Sequence, residues 1–144
     1  MKVVVGCDHG GFALKQTVID TIKSLGHEVI DVGTNSTESV DYPDYAQKAA
    51  HEIQSGNAQF GVLICGTGIG ISIAANKCKG IRCALCHEHL TAELCRQHNN
   101  ANIVAMGARI IGPETAIDIV KTFLTTNFLG DRHERRVCKI MSLE

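Results

Sequence analysis

A cysteine followed by alternating glycines, Cys65-Gly66-Thr67-Gly68-Ile69-Gly70, closes the apolar run that begins at Phe60 and precedes a helix-like segment from Ile71 to Lys77. The run suits a buried parallel strand, with Cys65 at its carboxyl end. Gly66, Gly68 and Gly70 remove side chains where the backbone must turn tightly, and the helix start presents unpaired N–H groups. Such a turn can hold a phosphate or a developing oxyanion. A cysteine beside a helix N-terminus is also the kind whose thiolate acts as a base or nucleophile. The bland alternative is a buried, inert cysteine before a packing turn, a common fate of free cysteines. The adjoining glycines favour chemistry.

The elements that must position this loop follow from the hydrophobic pattern. Lys2 to Cys7 reads as a first strand, Phe12 to Leu25 as a helix stopped at Gly26, and His27 to Val32 as a second strand. Pro43 to Ser55 is a helix opened by Asp41 or Tyr42, and Phe60 to Cys65 is the third strand. Strands at Ile81 to Cys86 and Asn102 to Met106 alternate with helices at Ile71 to Lys77, Glu88 to Gln97 and Glu114 to Thr125. A further helix is appended from Gly130. This alternation predicts one α/β domain over residues 1–144, a three-layer Rossmann-like or flavodoxin-like fold with a five-stranded parallel sheet. Ligands of such sheets bind beyond the carboxyl ends of the strands, which gathers Asp8 and His9 with Cys65 to Gly70.

At 144 residues and 44% hydrophobic content the chain suffices for one real core, and its formal charge of -1 lacks the basic footprint of a nucleic-acid binder. The N-terminus meets glycine, aspartate and histidine too early for the apolar core of a signal peptide, and no run approaches membrane-spanning length. A cytoplasmic protein with neither nucleic acid nor membrane as partner is expected. The seven cysteines then read as reduced thiols rather than a disulfide framework. Cys83-Ala84-Leu85-Cys86-His87 matches a haem-attachment pattern, and with His89 it also reads as a zinc site. Residues three apart on a strand point to opposite faces, so the two thiols should diverge, and buried strand cysteines are the favoured reading.

Four further stretches complete a constellation: Gly6-Cys7-Asp8-His9-Gly10-Gly11, Asp41-Tyr42-Pro43-Asp44, Arg96-Gln97-His98-Asn99 and Gly130-Asp131-Arg132-His133-Glu134-Arg135-Arg136. With the cysteine loop and the Met106-Gly107-Ala108-Arg109 turn, they resemble the type B ribose-5-phosphate isomerases along nearly the entire chain. The resemblance implies interconversion of ribose 5-phosphate and ribulose 5-phosphate, a step of the non-oxidative pentose phosphate pathway, without cofactor or metal. Cys65 matches the proton-transfer base of the family's cysteine branch. The other branch carries a glutamate where this chain has Ile71. Thr67 and the amides of Gly66, Gly68, Ile69 and Gly70 would stabilise the enediolate oxygen, at roughly 3 to 4 kcal/mol per well-placed donor. His98 matches the residue that opens the sugar ring, with Asn99 binding substrate oxygens beside it.

The resemblance also assigns Arg109, Arg132 and Arg136 to the substrate phosphate, Arg132 and Arg136 being four apart and so on one helical face. A solvated basic helix end, or more weakly a nucleic-acid patch, is the alternative for Arg132 to Arg136. Asp8 and His9 would bind the sugar or its ring oxygen, although an aspartate after a strand also serves as a helix cap. Asp41, Tyr42 and Asp44 line the pocket or brace it. The family's site lies between two subunits, so a homodimer, or a tetramer built from two, is implied. Galactose-6-phosphate isomerase subunits divide these residues between different chains, whereas here they share one. The competing readings are an isomerase of a six-carbon aldose phosphate such as allose 6-phosphate, a noncatalytic nucleotide- or flavin-binding module, and a cysteine-based redox sensor.

Overall fold

Valine and isoleucine runs bounded by glycine become strands in the computed structural model, which describes residues 1–144. The elements in chain order are β1 (Lys2–Cys7), α1 (Phe12–Ser24), β2 (Glu28–Asp31), α2 (Tyr42–Gln54), β3 (Phe60–Cys65) and α3 (Ile69–Asn76). They continue as β4 (Cys83–Leu85), α4 (His89–Asn99), β5 (Ile103–Gly107), α5 (Pro113–Thr125) and α6 (Arg132–Met141). All strand pairs are parallel, in the order β2-β1-β3-β5-β4. A flavodoxin-like sheet places its last two strands in chain order; here β5 inserts between β3 and β4.

That order decides which helix covers which face. The steps from β1 to β2 and from β4 to β5 run one way across the sheet, while β2 to β3 and β3 to β4 run the other way. Right-handed crossovers moving in opposite directions must lie on opposite faces. Accordingly α1 and α4, joined by α5, bury Val18, Ile22, Cys95, Ile119 and Phe123 against one face, and α2 and α3 bury Ala46, Ala50, Ile71 and Ala75 against the other. The central strands β1, β3 and β5 are buried almost throughout, and the edge strands β2 and β4 are partly exposed. Side chains of β3 alternate between the faces: Val62 and Ile64 enter the α1 layer, Leu63 and Cys65 the α2–α3 layer. Cys83 and Cys86 likewise pack on opposite faces, as strand alternation requires. No helix is long and apolar enough to cross a membrane.

Candidate active site

Because α1 and α3 leave β1 and β3 on opposite faces, a crevice opens between the carboxyl ends of these two neighbouring strands. Its floor is made by backbone. Asp8 N–H donates to the Ile64 carbonyl (3.2 Å), which carries the sheet pairing past the end of β1. A Cβ at Gly11 would lie 2.2 Å from the Ile64 carbonyl oxygen, and one at Gly10 would lie 3.0 Å from Gly66 N. These glycines let the two loops touch.

Cys65 is buried, and its Sγ accepts a hydrogen bond from Gly68 N–H at 3.1 Å. Gly68 caps α3 at φ +77, in the left-handed region. A Cβ there would sit 2.5 Å from Leu85 Cδ1 and 2.8 Å from the Met106 carbonyl carbon, so both conformation and space demand glycine. The consequence is a helix that starts at Ile69, two residues before the expected Ile71, with the amide of its N-cap, Gly68, turned onto the sulfur. The exposed Thr67 accepts from Ile69 N–H through its hydroxyl at 3.2 Å. Gly70 lies under the Tyr42 ring, whose Cε1 would be 2.2 Å from a Cβ at that position. Tyr42 therefore covers the first turn of α3.

The β5 end fastens the loop from the far side. Ala108 N–H and Arg109 N–H donate to the carbonyls of Cys65 and Gly66, each at 2.9 Å. The Arg109 guanidinium lies across Gly66, with Nη1 2.9 Å from where a Cβ would stand. Gly107 N–H donates to His87 Nε2 at 3.1 Å. Asp8 Oδ1 accepts from Gly11 N–H at 3.0 Å, a bond to the N-cap residue itself rather than a side-chain cap on the first turn of α1, while its second oxygen has no partner in the chain. His9 Nδ1 accepts from Val40 N–H at 3.1 Å, so the ring of the neutral histidine carries its proton on Nε2.

His98, Asn99, Arg132 and Arg136 stand elsewhere. In a parallel sheet α4 returns the chain from the carboxyl end of β4 to the amino end of β5, so its last turn belongs to the opposite edge. Arg96, in that turn, stacks its guanidinium 4.6 Å from the Phe60 ring, at the first residue of β3, whereas Cys65 is the last. Five residues of extended strand separate these levels by about 16 Å. His98 is half-buried and stacks on the buried His133 of α6, ring centroids 4.2 Å apart and planes inclined by 10°. Arg132 and Arg136, on the same helix as His133, are exposed. The expected residues thus form two clusters: Asp8, His9, Cys65 to Gly70 and Arg109 at the carboxyl edge, and His98, Asn99, Arg132 and Arg136 at the amino edge.

The sequence reading missed His87, His133 and the structural part played by Arg96. His133 had a signal: with Val137 at i+4 it forms the inward stripe of an otherwise charged helix, and both are buried. His87 was read only for metal ligation, although its ring braces Gly107. Most of the remaining thiols are masked by packing. Burial pushes Cys7 up to about 11 and also raises Cys78 and Cys83.

The sequence profile of the family described as Ribose/Galactose Isomerase matches residues 3–140. A putative sugar phosphate isomerase of Bacillus subtilis is 50% identical over 145 residues, covering 100% of this chain and 97% of the relative. Ribose-5-phosphate isomerase B of Escherichia coli is 48% identical over 143 residues, covering 99% and 96%. Among solved structures, ribose-5-phosphate isomerase B of Clostridium thermocellum superposes with a TM-score of 0.97 at 51% identity, covering 99% of this chain and 97% of the other.

Proposed function

The chain belongs to the ribose/galactose isomerase family, and we propose that it interconverts D-ribose 5-phosphate and D-ribulose 5-phosphate through an enediolate, using no cofactor. The observation that carries the reading is the Gly68 N–H hydrogen bond to Cys65 Sγ at the start of α3. The bond fixes the sulfur at the mouth of the turn, and the same loop offers further amides to a negative atom placed beside it. Cys65 takes a proton from C2 of the open-chain aldose and returns it at C1, and the hydroxyl proton of O2 passes to O1, so that the ketose forms with no net gain or loss of protons. Negative charge developing on the carbonyl oxygen is met by the amides of the Gly66 to Gly70 turn and by Thr67. Asp8 and the His9 Nε2 proton hold sugar oxygens, and Arg109 reaches over Gly66 toward the phosphate.

Ring opening falls to His98, which donates to the ring oxygen and receives the proton of the anomeric hydroxyl, with Asn99 holding the neighbouring oxygens. Arg132 and Arg136 complete the phosphate site. Since these groups lie at the amino edge of the sheet, about 16 Å in strand length from Cys65, one chain does not assemble the whole constellation. A homodimer in which each Cys65 faces the partner subunit's amino edge is the simplest completion; pairing of dimers into tetramers leaves this unchanged. The enzyme works on a small sugar phosphate in the cytoplasm.

Formation of ribulose 5-phosphate from ribose 5-phosphate, followed for the wild type and Cys65→Ala with EDTA present, tests the reading. Activity in the first and its loss in the second is expected. A folded but inactive wild type would redirect the search to six-carbon aldose phosphates, and activity in both would remove Cys65 as the essential base.

A further inference from the structure

Two cationic side chains converge on the residue that ends α4. Asn100 adopts φ 46, ψ 42, the left-handed conformation of a helix terminator. Arg82, half-buried beside β4, donates from Nε and Nη2 to the Asn100 carbonyl at 3.0 and 2.9 Å. Arg96, buried in the last turn of α4, donates from Nη1 to Asn100 Oδ1 at 2.9 Å and also to the Ala101 carbonyl, and from Nε to the Thr126 carbonyl at 3.4 Å. Its guanidinium lies against the paired rings of Phe60 and Phe123, 4.6 and 5.7 Å from their centroids.

Neither guanidinium has a carboxylate at ion-pair distance. Glu144 lies near Arg82, but its carboxylate accepts from Gly80 N–H instead. Burial lowers both arginines from their ordinary range, and Arg82 adds repulsion on Arg96. Bringing two poorly solvated like charges to one asparagine opposes folding. Ending a helix does not require it, because a left-handed Asn or Gly suffices alone.

The remaining contacts give the arrangement a purpose. Arg82 Nη1 also donates to Met141 Sδ at the end of α6 (3.2 Å), and His98, two residues before Asn100, stacks on His133 near the start of α6. The end of α4 and the whole of α6 are thereby fixed relative to each other at two points. Those elements carry His98 and Asn99 on one side and Arg132 and Arg136 on the other.

We infer that Arg82 and Arg96 are positioning residues for ring opening: through Asn100 they set His98 at the distance from the phosphate-binding arginines that the substrate spans. The inference rests on the isomerase activity proposed above. It assigns no contact with substrate to either arginine.

Ribulose 5-phosphate has no ring form to open, so exchange of its C1 hydrogen with deuterium from D2O reports enediolate formation alone, whereas turnover of ribose 5-phosphate also needs ring opening. Arg82→Gln should lower ribose 5-phosphate turnover by about tenfold to a hundredfold while exchange stays near the wild-type rate. Adding Arg82→Gln to His98→Asn should cost little more than His98→Asn alone, because both act on one step. Asn100→Gly keeps the left-handed turn and the carbonyl but removes Oδ1; it should shift the same ratio more weakly, and it serves if Arg82→Gln does not fold. Equal losses of turnover and exchange, an unchanged ratio, or full additivity with His98→Asn would each overturn the inference. An inactive wild type would instead sink the proposed activity itself, a distinguishable result.

Discussion

The division of the site between the two edges of the sheet can be tested by complementation. Arg96, in the turn of α4 that also carries His98, stacks on Phe60 while Cys65 ends the same strand, and the two ends of that strand lie about 16 Å apart. Proton transfer to one small substrate requires both His98 and Cys65 within about 3 Å of its reacting atoms. In the proposed two-fold dimer each site would take Cys65 from one subunit and His98 from the other. A heterodimer of Cys65→Ala with His98→Asn therefore has one site lacking both groups and one site that is wild type. Co-expressed with different affinity tags and purified through both, it should show about half the wild-type turnover of ribose 5-phosphate; an unsorted equimolar mixture in which subunits exchange freely should show about a quarter. If each chain built its own site, every site in the heterodimer would carry one lesion, and its activity would equal the mean of the two mutant homodimers. That mean, measured alongside, is the result that would refute the shared site.

Gly68→Ala and Gly80→Ala form a matched pair, since both positions have φ +77 but only Gly68 is crowded, by Leu85 and Met106. The Gly80 change should cost about 1 kcal/mol from backbone strain and spare activity, while the Gly68 change should add about 1–3 kcal/mol of overpacking and abolish turnover; similar denaturation midpoints would contradict the packing argument. Arg136→Ala should raise KM with little change in kcat, and an unchanged KM would remove Arg136 from the phosphate site. His133 is held below its ordinary range by burial, aided by His98, Arg132 and Arg136, and its Nε2 has no partner. As pH falls through about 6.5 the unfolded chain gains this proton before the folded chain does, so stability declines on acidification until the depressed folded value is passed. His133→Phe should reduce that decline, read as the difference in urea midpoint between about pH 7.5 and about pH 5.5; an undiminished difference would show that His133 is not its source.

Where the physical signal is local, sequence and structure agree closely. Strand β3 runs from Phe60 to Cys65 as its apolar pattern indicates, and α1 starts at Phe12. The differences have identifiable causes. Strand β4 shrinks from the expected Ile81 to Cys86 to Cys83–Leu85, because an edge strand has a partner on one side only and three register pairs with β5 are all it makes. Helix α4 runs on from the expected Gln97 to Asn99 and ends at Asn100, a left-handed terminator that Arg82 and Arg96 also contact. One of those arginines is four residues away in the chain and the other eighteen, and no local pattern announces such a contact. The Tyr42 ring over Gly70 and the His87 bond to Gly107 N–H are hidden for the same reason.

The separation of the two half-sites shows most clearly what a linear reading omits. The rule that ligands gather at the carboxyl ends of parallel strands places Asp8, His9, Cys65 and Arg109 together, because each follows a strand directly. His98 follows no strand. It precedes one, in the last turn of a helix that has already carried the chain back across the sheet, and so it lies beside the start of β3 rather than its end. Met106 is only eight residues later, yet it has reached the carboxyl edge, paired with Ile64. Position within the β–α alternation therefore decides the edge on which a residue stands, and it is why the proposed use of both Cys65 and His98 on one substrate calls for a second copy. A motif match along one chain establishes that the groups are present. The direction of the strands sets them on opposite edges of the sheet, which is the ground on which a shared site is proposed.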